Sequence, residues 1–147
     1  MIQYTQFCDP LIIRPEKYIV EKLADTVLVD NNVRNGEISF IFGSDDLLVE
    51  LKKEFFYEDH LTDVIAFRLN DYKEAYLEGE IYISLPRATE NSKKYGEPFE
   101  KEVARLIVHG SLHLLGHKDD TRKQKEKMRI IEDKYLGLVD WKILFGE

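Results

Sequence analysis

From near Pro98 to Gly116 the sequence reads as one helix that is apolar round much of its circumference. Phe99, Val103, Leu106, Ile107 and Leu114 mark its core side, and Glu102, His109 and His113 fall on an adjacent stripe. A helix apolar nearly all round has to be buried. The rest of the chain must therefore enclose it. The sequence predicts that this helix lies across a sheet, with its C-terminal end opening into a cleft.

Strands and helices alternate around it. Residues 2–8 favour a strand that stops at Pro10. A helix fits from about Pro15, with Ile19, Val20, Leu23, Ala24, Val27 and Leu28 on one face. Asn31-Asn32 and Asn35-Gly36 punctuate its exit. In residues 37–43, Ile38, Phe40 and Phe42 alternate with Ser39 and Ile41, which predicts a strand buried on both faces. Ser44 caps a second helix bearing Leu47, Leu48, Leu51 and Phe55. After a polar loop containing His60, residues 62–67 lead into a strand, and Gly79-Glu80 introduces another through Leu85. Pro86 opens a short helix ended by Gly96, and a final helix runs from Asp120 or Thr121 to about Leu136. The apolar tail 138–145 has to pack, at a place that periodicity does not fix. The expectation is a single α+β (α/β-type) domain over residues 1–147, with a sheet of about four strands.

Charge and cysteine content narrow the setting. The formal charge of -7 argues against nucleic-acid binding over the whole surface, though not against a local basic patch. Cys8 is the only cysteine, so no intramolecular disulfide can form, which suits a reducing cytosol and a cytoplasmic location. No apolar run reaches membrane-spanning length, and the N-terminus carries no basic head or apolar core of a secretion signal.

His109 and His113 stand four residues apart, which on a helix places both imidazoles on one face, one turn apart. That is a common way for a helix to offer two nitrogens to one metal ion. A catalytic zinc takes three protein ligands, and His117, Asp119, Asp120 and His60 are candidates for the third. If the helix continued, His117 would lie about 12 Å along the axis from His109, too far to share an ion. A break at Gly116 puts Asp119 six residues after His113, where metzincin proteases carry their third ligand. Asp119 is therefore preferred, with His117 as the alternative. Those proteases carry a glutamate base directly after the first histidine, and here that residue is Gly110, which disfavours peptide hydrolysis. A metal-activated water attacking a phosphodiester needs no such base.

Beside these residues, Lys118, Arg122, Lys123, Lys125, Lys127 and Arg129 outnumber Asp119, Asp120 and Glu126. This basic run is either an ordinary solvated helix face or an attractor for a polyanion.

The segment His109-Gly110-Ser111-Leu112-His113-Leu114-Leu115-Gly116 resembles the HGxLHLxGYxH signature of the YbeY family of bacterial rRNA-maturation endoribonucleases. Residues 62–67, Thr-Asp-Val-Ile-Ala-Phe, are similar to the family's TDVLSF segment, and Gly79-Glu80-Ile81-Tyr82-Ile83 to its GDIyI strand. Asn91 falls where the family has an Asn-Ala pair, and Met128 and Glu132 fit its final helix. The resemblance covers the chain up to Leu136. It implies a mixed four-stranded sheet round a central His-bearing helix and a zincin-like site with one Zn2+ ion. It further implies single-strand-specific cleavage in 16S rRNA 3′-end maturation and ribosome quality control, with the small subunit as partner. His109 and His113 correspond to the first two ligands. Asp119 stands at the family's third histidine and His117 at its tyrosine, which points to a His-His-Asp set with a less acidic bound water. Phe56 occupies the place of a family arginine, leaving Arg68, Arg87 and Arg105 as candidate replacements. Arg105, Lys118, Arg122 and Lys123 are the expected RNA contacts. A ribosome-assembly factor with a structural metal, or a metal-dependent hydrolase of another substrate, is the alternative.

Overall fold

The computed structural model describes residues 1–58 and 61–146. His60 lies outside the described residues. Strand β1 (Ile2–Cys8) is followed by α1 (Lys17–Asp30), β2 (Asn35–Gly43), α2 (Asp45–Phe56), β3 (Val64–Arg68), β4 (Tyr76–Ser84), α3 (Leu85–Tyr95), α4 (Phe99–Leu114) and α5 (Arg122–Leu136). The four strands form one mixed sheet in the order β1-β2-β4-β3. β1 and β4 run parallel to β2, and β3 runs antiparallel to β4 at the sheet's edge.

The sheet has a core face and a second, thinner face. On the core face, Ile38, Phe40 and Phe42 of β2 and Leu77, Ile81 and Ile83 of β4 pack beneath α1 and α4. The other face is only partly covered. Glu37 is exposed there, and Ser39 and Ile41 are half-buried, so the expectation of burial on both faces of β2 is corrected. A smaller aromatic cluster covers the β3–β4 part of that face, where Phe67 meets Phe55, Phe56 and Tyr82. The polar alternation at Glu37 and Ser39 marks this thinner face.

α4 is the most enclosed helix. Leu106, Ile107, Val108, Leu112 and Leu114 are buried, and α4 contacts α1, α3, α5, β3 and β4. Gly110 lets it approach the sheet closely: a Cβ there would stand 2.7 Å from Ile81 Cγ2. The absence of a glutamate at this position thus also has a packing reason.

Two boundaries differ from expectation. Asn35 and Gly36 begin β2 instead of ending a loop, because β4 extends back to Tyr76 and pairs with them. A Cβ on Gly36 would lie 2.3 Å from the Leu77 carbonyl oxygen, so the strands meet where only glycine fits. Ser84 accepts from the Arg87 amide and opens α3 at Leu85, one residue before Pro86. The tail forms a short 3-10 turn at Trp141–Ile143, buries Leu144 and stacks Phe145 on Phe99 at 4.9 Å. The Glu16 amide donates to the Leu144 carbonyl, tying the tail to the start of α1.

Candidate metal centre

The end of α4 builds the site. The Gly116 amide donates to the His113 carbonyl and the His117 amide to the Leu112 carbonyl, with Gly116 at φ +96°. These two bonds form a Schellman ending, which a left-handed glycine permits. The chain reverses and brings Asp119 back over the helix. His109 Nε2 then lies 2.9 Å from His113 Nε2 and 3.2 Å from Asp119 Oδ2, and His113 Nε2 lies 3.5 Å from Asp119 Oδ1.

This donor set fits a metal. Four ligand atoms about 2 Å from a tetrahedral zinc stand about 3.3 Å from one another. The two histidine nitrogens stand 2.9 Å apart, Asp119 approaches one through Oδ2 and the other through Oδ1, and one donor atom from each residue lies within 4.8 Å of the others. Among the described residues, His109, His113 and Asp119 form a group of nitrogen and carboxylate donors able to hold an ion. His117 is not part of it. It lies past the turn and lines the cleft wall.

Supporting contacts fix the His109 ring. Glu132 Oε2 lies 2.6 Å from His109 Nδ1, so a protonated Nδ1 donates to it and Nε2 points to the shared position. Arg105 holds Glu132 at 3.1 Å and Asp133 at 2.7 Å. Such outer contacts set tautomer and orientation in metal sites. The His113 ring is held on the other side of the shared position, its Nε2 facing His109 Nε2 and Asp119 Oδ1. Farther back, Asn91 donates to Asp63 at 2.9 Å and to Glu102 at 3.3 Å, linking the start of β3 to α3 and α4.

The charges respond to this packing. Burial alone would lower the His109 pKa, but hydrogen bonds to Asp119 and Glu132 and their negative charge outweigh it and raise it to about 9. His113 is lowered by burial and by the neighbouring His109. Asp119 is brought down to about 2, chiefly by its hydrogen bond to His109. His117 is lowered by burial and by Lys127.

The group faces a cleft of about 670 Å³. Lys52, Phe56 and Tyr72 line it, together with residues 62–66 and 115–120. Of the four expected RNA contacts, only Lys118 lines this cleft; Arg122 and Lys123 are exposed on the first turn of α5, and Arg105 is buried beneath the site against Glu132 and Asp133. None of the three candidate replacements for the missing arginine lines it. Arg68 donates to the Leu114 carbonyl and neighbouring loop groups, Arg87 pairs with Asp45, and Arg105 supports Glu132. Instead Lys52, one turn before Phe56 on α2, reaches the cleft with its ammonium 4.5 Å from the Phe56 ring centre.

Sequence reasoning missed the work of Lys52, Arg105 and Glu132. Lys52 had an available signal, since residues four apart share a helix face. Glu132 had another: it is a carboxylate at the inward spacing set by Met128 and Tyr135.

Comparison with known proteins agrees with this geometry. Endoribonuclease YbeY of Flavobacterium psychrophilum is 36% identical over 138 residues, covering 94% of this chain and 96% of the relative. That of Phocaeicola vulgatus is 37% identical over 107 residues, covering 72% of this chain and 75% of the relative. The solution structure of TM1509 from Thermotoga maritima superposes with a TM-score of 0.60 at 26% identity, covering 94% of this chain and 91% of that one. Residues 12–140 match the family described as endoribonuclease YbeY, and the chain belongs to that family.

Proposed function

We propose that this protein is a zinc-dependent endoribonuclease that cuts single-stranded RNA, in the cytoplasm, during maturation of the 16S rRNA 3′ end and in ribosome quality control. The observation that carries the reading is the convergence of His109, His113 and Asp119 at ligand spacing in a cleft that also presents Lys52 and Lys118. These three residues would hold one Zn2+ ion. When bound, the ion supplies Lewis-acid chemistry, activating water as nucleophile and offsetting charge on the phosphodiester. Glu132 keeps His109 in the tautomer that leaves Nε2 available. Lys52 and Lys118 attract the phosphate backbone into the cleft. No helix among the described residues is long and apolar enough to cross a membrane.

The test is cleavage of a single-stranded rRNA fragment by purified protein with and without chelator, beside His113→Ala. Loss of cleavage in both supports the reading; unchanged cleavage in His113→Ala rejects it. A second reading, an assembly factor with a structural metal, draws on one observation: Arg68, Arg87 and Arg105 are all engaged away from the cleft. It predicts that His109→Ala unfolds the protein and that charge reversal along residues 123–129 abolishes ribosome association.

A further inference from the structure

Strand β3 forms one wall of the cleft, and its ladder decides which backbone groups face that wall. The Ser84 amide donates to the Asp63 carbonyl and the Leu69 amide to the Glu78 carbonyl. In an antiparallel pair, hydrogen-bonded and non-hydrogen-bonded positions alternate. With the observed register, Ile65 and Phe67 therefore exchange bonds with Tyr82 and Glu80, and Val64 and Ala66 do not bond to β4. The N–H and C=O groups of Val64 and Ala66 point the other way, to the open edge of the sheet. They meet no partner among the described residues. Both residues line the same cleft as His109 and His113.

An edge strand with free donors and acceptors is a template for hydrogen bonding. Two kinds of chain can use it, an extended peptide or an unpaired nucleic-acid strand. The cleft favours the second. Lys52 and Lys118 line it and match a phosphate backbone, and Tyr72, an exposed aromatic side chain in the cleft wall, offers a ring against which a base stacks. We propose that the outward N–H and C=O groups of Val64 and Ala66 hydrogen-bond the Watson–Crick edges of unpaired RNA bases beside the scissile phosphate. In a duplex those edges are already occupied, so this wall selects single strands by the hydrogen bonds it demands. The inference rests on the endoribonuclease reading and gives it a specificity device made of main chain.

The test has two arms, both on metal-loaded protein. In the first, amide hydrogen exchange of wild-type protein is followed by NMR with a short single-stranded RNA, with the same strand annealed to its complement, and with an extended peptide. The expected result is slowed exchange at Val64 and Ala66 with the single strand alone. In the second, Ala66→Pro removes one outward N–H without touching the β4 ladder, as edge strands tolerate. The variant should retain one metal ion per chain, raise KM for single-stranded RNA about tenfold, the effect of one lost hydrogen bond, and narrow the preference over duplex. Single-stranded RNA that binds without protecting either amide overturns the proposal, as does protection by peptide in place of RNA. Protection by RNA without cleavage by the wild type upholds it and rejects the nuclease reading.

Discussion

Glu132 supports the candidate centre from behind His109. Its carboxylate holds His109 Nδ1 at 2.6 Å and is held in turn by Arg105. Glu132→Ala should weaken metal affinity by about 10- to 100-fold, the usual effect of losing such a support; competition against a chromogenic chelator measures it. Protons compete for the same place. His109 is raised to about 9 in the metal-free chain, so an ion must displace its proton. Affinity should climb about tenfold per pH unit below that value and flatten above it, as read by the same competition across pH. The metal-free fold gains from this shift below the unfolded histidine pKa of about 6.5, and loses the gain as pH rises toward about 9. Part of the grouping was readable from the chain: the interval between His109 and His113 pairs them on one face, and the glycine after them made Asp119 the preferred third member, with His117 second. Glu132 was not, because its partner lies 23 residues away on another helix and no local rule connects them.

Helix α4 and the turn after it carry the geometry. Its burial was visible as apolar residues all round, and its end as Gly116. The role of Gly110 was not visible, since close packing on Ile81 depends on how the helix crosses β4. Gly110→Ala should destabilise the fold by about 1–3 kcal/mol through overpacking, seen as a lower Tm. Gly116→Ala strains a left-handed backbone at a cost of about 1–2 kcal/mol. It should also reduce metal occupancy, because the same turn brings Asp119 back to the two histidines. The strands were legible by alternation, but their edges were not. β4 reaches back to Tyr76 only because β2 offers Asn35 and Gly36 as partners, a long-range pairing that no window of sequence contains.

The protein as a whole is acidic, at -7, yet α5 is rich in lysine and arginine, and Lys52 and Lys118 line the cleft beside Asp63, Asp119 and Asp120. Binding to single-stranded RNA should weaken with salt. Lys118→Ala should reduce the slope of log affinity against log salt by about 0.7, as one lost phosphate contact does. Arg105→Ala should leave that slope alone and lower metal occupancy, since Arg105 is buried against Glu132. The basic run was plain in the sequence, and which of its members reach the cleft depended on the turn between α4 and α5. All these expectations depend on His109, His113 and Asp119 holding an ion that RNA cleavage requires. Metal analysis of purified wild type, Asp119→Ala and His117→Ala, paired with cleavage of one single-stranded rRNA fragment, measures that directly. One zinc per chain and cleavage in the wild type and His117→Ala, with both lost in Asp119→Ala, is the predicted result. Full zinc and cleavage in Asp119→Ala, or their loss in His117→Ala alone, would contradict it.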